Sequence, residues 1–127
     1  MTRAVLDSSA LHPAIAEKVD RNHRETVDEV IAAVAAHPVV VVGMAQNPHV
    51  RKVKKALGEA GVAFHALDYG SYFGEWQRRL AIKMWSGWPT FPMVFVQGAL
   101  VGGGSDTRRL IESGELKGLI EAGRKAG

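Results

Sequence analysis

Apolar positions alternate between two periods along this chain, and the changes of period mark its elements. Val27, Val30, Ile31 and Val34 recur at helical spacing, which predicts a helix over Arg24 to Ala36 with one buried stripe, ended by His37-Pro38. Val39 to Val42 is a continuous β-branched run, the pattern of a strand covered on both faces. Val50, Val53 and Leu57 then share the inner face of a helix from about Pro48 to Ala60, stopped by Gly61. "VAFHALD", Val62 to Asp68, reads as a second strand. A third helix is expected over Tyr72 to Trp85, with Phe73, Trp76, Leu80 and Met84 on one face. "MVFV", Met93 to Val96, is a third strand, and Gln97-Gly98 turns it into the short strand "ALV" as a hairpin. A glycine corner, Gly102 to Gly104, leads into helices over about Asp106 to Ser113 and Glu115 to Gly127. Ahead of all this, Pro13 opens a short helix running to about Asp20.

A strand-helix-strand unit, a helix and then a hairpin predict an α/β fold: a four-stranded mixed sheet flanked by helices, with an extra N-terminal helical segment. Among small folds this order is the thioredoxin-like one. The expected division is an N-terminal extension, residues 1–23, and one domain, residues 24–127. No repeat or low-complexity tract interrupts it.

Composition changes the picture at one point. The 127 residues include no cysteine, which removes disulfides, thiolate metal sites and thiol catalysis together. The net charge of +3 suits an anionic ligand without calling for nucleic acid. No run is long and apolar enough for a membrane helix, and "MTRAVLDSSALHP" lacks the core of a signal peptide, so a cytoplasmic location is expected.

The chemistry worth weighing lies at "NPHV", Asn47, Pro48, His49 and Val50, where a strand hands over to a helix. Asn47 suits an N-cap and Pro48 the first helical position; Asn47 as a ligand contact is the competing reading. His49 is the one titratable group of the four, read either as an exposed first-turn residue or as a contact to a thiol or carboxylate. Arg51, Lys52, Lys54 and Lys55 form a basic helix face, read as solvated surface ahead of a nucleic-acid patch. The five histidines show no paired ligand spacing, and no metal site is expected.

"WPTFPMVFVQGALVGGGSD", Trp88 to Asp106, resembles the glutaredoxin family, its monothiol branch above all, and "SGEL" at Ser113 to Leu116 strengthens the likeness. In that family the active-site cysteine opens the helix at the position of Asn47. Dithiol members read Cys-Pro-Tyr-Cys there and monothiol members Cys-Gly-Phe-Ser, so both sulfur positions are lost. The resemblance implies a glutathione groove: Thr90, Phe91 and Pro92 as its turn, with Pro92 cis, and Gly103, Gly104 and Ser105 holding the γ-glutamyl end. Asp106 stands one position later than the family's acid. Arg79 would face the glycyl carboxylate, where Met44 replaces a customary lysine. The expected function is therefore non-covalent binding of glutathione or a partner protein, with no thiol–disulfide turnover, no catalytic residue and no other cofactor. The alternatives are a [2Fe–2S] role as in monothiol relatives, which would bring a homodimer, and a pure protein-interaction module. Neither nucleic acid nor membrane is an expected partner.

Overall fold

A computed structural model describes residues 3–70 and 74–126. The elements run α1 (Pro13–Arg21), α2 (Arg24–Ala36), β1 (Val39–Gly43), α3 (Pro48–Glu59), β2 (His65–Asp68), α4 (Trp76–Ser86), β3 (Met93–Val96), β4 (Ala99–Gly102), α5 (Gly104–Ser113) and α6 (Glu115–Ala126). The strands form one sheet in the order β2-β1-β3-β4, β1 parallel to β2 and antiparallel to β3, with β3 antiparallel to β4. This is the mixed, helix-flanked, thioredoxin-like arrangement that the element order predicts.

The β-branched run sits at the centre because both its faces are covered. Val40 and Val42 pack with Met93 and Phe95 under Val30 of α2 and Ile82 of α4. Val39 and Val41 pack with Val94 and Val96 under Val53 and Leu57 of α3 and Leu116 of α6. Val50, Val53 and Leu57 are all buried, as the spacing predicts. Each such side chain contributes about 1.5–3 kcal/mol, so the stripe anchors α3 firmly. At its far end the N–H of Val62 donates to Leu57 O and that of Gly61 to Gly58 O, closing the helix where expected. Gln97 and Gly98 both have positive φ, 50° and 83°, the mirror-image turn that fits the twist of a two-residue hairpin.

Three expectations change. The second strand starts at His65, because only residues from there pair with β1. Ile31 is 40% exposed, so the stripe of α2 is narrower than its spacing suggests. The largest change is in α4. Trp76, Leu80 and Met84 are 60%, 44% and 62% exposed, and the buried positions are Arg79, Ala81 and Ile82. Periodicity identified a face of this helix, but a second face, carrying an arginine, turns inward. Tyr72 and Phe73, assigned to this helix, lie outside the described residues.

Helix α1 buries no side chain. Ahead of it, the Arg3 guanidinium fills the space that a side chain on Gly87 would need.

Candidate functional site

At the end of β1 the chain leaves the sheet at Met44 and enters α3 through Asn47. The Asn47 side-chain oxygen accepts from the N–H groups of His49 (2.8 Å) and Val50 (3.2 Å), and the residue is 6% exposed. The cap reading is therefore correct, and this oxygen is already committed to the helix. Pro48 begins the first turn. That turn presses on the strand: a Cβ on Gly43 would lie 2.7 and 2.9 Å from the two Val50 methyl carbons. Val50 thus belongs to the core.

The facing wall is the connection from α4 to β3. The Ser86 hydroxyl accepts from the Trp88 N–H (3.1 Å) and donates to Met93 Sδ (3.3 Å), which folds Trp88 back over the strand end. The Phe91–Pro92 bond is cis, Phe91 is 7% exposed, and the Lys83 ammonium lies 5.5 Å from its ring centroid. The Trp88 indole N–H is shielded from solvent without a hydrogen-bond partner among the described residues.

The third wall is the start of α5. Asp106 Oδ2 accepts from the Gly103 N–H (3.0 Å), and the Thr107 hydroxyl donates to Gly103 O (2.8 Å). The carboxylate is thus turned back to cap its own helix, where the positive end favours it.

Arg79 reaches this site from the buried face of α4. Its Nη1 donates to Tyr69 O (2.9 Å) and Gly74 O (2.6 Å). Tyr69 is held in turn by its hydroxyl, which donates to Glu29 Oε1 (2.6 Å), and by Arg78, 4.9 Å above its ring. Burial pushes the Tyr69 phenol well above its ordinary range; the hydrogen bond and the charge of Glu29 add to this, and Arg78 opposes it.

The three walls enclose one groove of about 600 Å³. Arg79, Thr90, Phe91, Pro92, Gly103, Gly104, Ser105 and Asp106 all line it, together with Met44, Asn47 and His49; Pro48 and Val50 do not. Sequence reasoning missed Lys83, Arg108, Trp88 and Pro89 as lining residues, and took Lys52 for surface. A signal was present: Lys52 follows His49 by three, and Lys83 and Arg108 follow Arg79 and Gly104 by four, the spacings that share a helix face. The basic face of α3 divides accordingly. Lys54 pairs with Asp68 (2.8 Å) and Lys55 with Glu59 (3.9 Å), while Lys52 faces the groove. The lining thus carries four cations against one carboxylate, and none of the four is ion-paired among the described residues. No group of three His, Cys, Asp or Glu side chains among the described residues could hold a metal ion, and no helix among them is long and apolar enough to cross a membrane.

Comparison with known proteins gives consistent relatives, although no family model matches the chain. The "Glutaredoxin-like protein" of Dictyostelium discoideum is 50% identical over 102 residues, covering 80% of this chain and 83% of its own length. Glutaredoxin-C4, chloroplastic, of Oryza sativa subsp. japonica is 34% identical over 126 residues, covering 97% of this chain and 95% of its own. Among solved structures, the buckwheat glutaredoxin-glutathione complex superposes with a TM-score of 0.70 over 82% of this chain and 94% of that one, at 20% identity, a likeness of fold.

Proposed function

The chain belongs to the glutaredoxin family, and on that footing we propose that it binds glutathione, or a glutathione-like peptide thiol displayed by a partner protein, without thiol–disulfide exchange. The observation that carries this reading is the convergence of Arg79, the Phe91–Pro92 turn and the start of α5 around Asn47 in one groove. The Phe91 backbone offers an extended peptide its strand-like pairing. The N–H groups of Gly104 and Ser105, in the first turn of α5, suit a carboxylate. Arg79 supplies positive charge at the other end, and Lys83, one turn further along α4, makes up for the lysine that Met44 replaces. A buckwheat glutaredoxin of the same fold was solved with glutathione, which supports the choice of ligand.

Exchange needs a thiolate to attack a disulfide sulfur, and the chain has none. A [2Fe–2S] cluster fits the groove no better. Such clusters rest on thiolates, or on two histidines at one iron, and the residues here are an amide already used as a cap and a single imidazole. Residues 1–23 we take as an appendage to the binding domain, in keeping with an α1 that buries nothing.

The test is a titration of the chain with reduced glutathione, followed by backbone amide shifts. Saturable shifts at Asn47, Phe91 and Ser105 are expected; unchanged spectra at millimolar ligand would refute the reading. A second reading, a protein-interaction module, draws on the exposed stripe Trp76, Leu80 and Met84, and predicts that silence.

A further inference from the structure

We propose that this chain forms a twofold dimer in which α1 of one copy lies along α4 of the other. The inference stands apart from the glutathione reading, because none of the residues it uses lines the groove. Helix α1 has nine residues and is capped by His12, whose Nδ1 accepts from the Ala14 N–H (3.0 Å). An isolated helix shorter than about 12–15 residues is marginal in water, so α1 needs a surface to cover its apolar side. Yet it buries nothing: Ile15 and Val19, four positions apart, are both exposed. Helix α4 has the matching defect, since Trp76, Leu80 and Met84 recur at the same spacing along its exposed side. Rows of side chains four apart are the ridges through which two helices interlock. Both stripes run into one apolar area. Val19, Ile31, Met84 and Trp85 border a hollow of about 380 Å³, and Ile31 and Trp85 also border its neighbour of about 540 Å³. The exposed apolar side chains on α1, α2 and α4 number seven. With roughly 150–250 Å² for a whole aromatic side chain, these partly covered ones present on the order of 600 Å². That is the upper end of what a monomer commonly leaves bare, and close to the about 800 Å² that one partner supplies to a standard interface. The charges beside the patch carry both signs and pair within the chain: Arg21 with Glu17, Arg24 with Asp20 and Asp28, and Arg78 with Glu75. A rim of mixed sign tolerates its own copy, where a rim of one sign would repel it. A twofold axis makes the contact reciprocal, so one arrangement covers both α1 helices and both α4 stripes.

Sedimentation velocity of the full chain across the micromolar range tests this. A species of twice the chain mass is expected, growing with concentration. Ile15→Lys and Leu80→Glu, both at exposed positions, should each weaken dimerisation by about tenfold or more, because each sets a charge in an apolar contact at two places per dimer. Far-ultraviolet circular dichroism and the urea midpoint of each variant, measured where it is monomeric, should show the fold kept. Mixed in equal amounts, the two variants should dimerise again: one contact of the mixed dimer joins the new ammonium to the new carboxylate, and the other is unaltered. A parent that stays monomeric throughout, its patch then free for another protein or a membrane surface, overturns the inference. So does a dimer that both variants leave intact, or a mixture no better than its components.

Discussion

Replacing Asn47 with alanine tests whether the start of α3 depends on a single side-chain oxygen. That oxygen accepts two backbone N–H groups, one of them at the buried Val50. Loss of an N-cap costs about 0.5–2 kcal/mol. A buried donor left unsatisfied costs about 1–3 kcal/mol, so the upper end of the cap range, about 2 kcal/mol, is expected here. With a urea m-value of roughly 1–3 kcal/mol/M, the unfolding midpoint should fall by about 1 M with m unchanged. Asn47→Asp keeps an acceptor and places negative charge at the positive helix end, so it should stay within about 0.5 kcal/mol of the parent. Urea unfolding followed by far-ultraviolet circular dichroism measures both. A loss below about 0.3 kcal/mol in the alanine variant, or an equal loss in the aspartate variant, would refute the cap assignment.

Tyr69→Phe should change the response to alkali. Because the native phenol titrates above the unfolded one, its contribution is full below about pH 10 and lost as pH rises toward the native value. The parent should thus lose midpoint in alkali more steeply than the variant, and parallel curves would contradict the burial argument. Gly43→Ala drives a methyl group into Val50, and overpacking of about 1–3 kcal/mol should appear as a lower urea midpoint; an unchanged midpoint would mean α3 can move away freely. Arg79→Met leaves the carbonyls of Tyr69 and Gly74 without their donor, so a stability loss of about 1–3 kcal/mol and weaker glutathione binding by calorimetry are expected together. Weakened binding with no change in stability would count against the structural half of that role.

The sheet could be read in advance because its signal is local. Val39 to Val42 allow only a strand covered on both faces, and Val50, Val53 and Leu57 only one orientation of α3. Helix α4 was misread because it carries two apolar stripes, and periodicity does not say which one the sheet chooses. Once Ala81 and Ile82 pack inward, the neighbouring Arg79 must enter with them, and its charge is met by carbonyls about ten and five residues earlier in the chain. No spacing rule predicts that pairing. In the groove, the residues within the Trp88 to Asp106 motif were named from the family resemblance. Lys52, Lys83 and Arg108 were not, because a surface lysine and a groove lysine look alike until the walls are folded together.

The division of the α3 lysines has a kinetic consequence. With Lys54 and Lys55 matched to acids, Lys52 joins Arg79, Lys83 and Arg108 as positive charges that line the groove without an ion-pair partner among the described residues. An anion diffusing nearby is steered toward them before it touches anything, which speeds encounter most in dilute buffer. Raising ionic strength shortens the reach of this field to about 8 Å near physiological salt. Association should then slow with added salt while the escape rate changes far less.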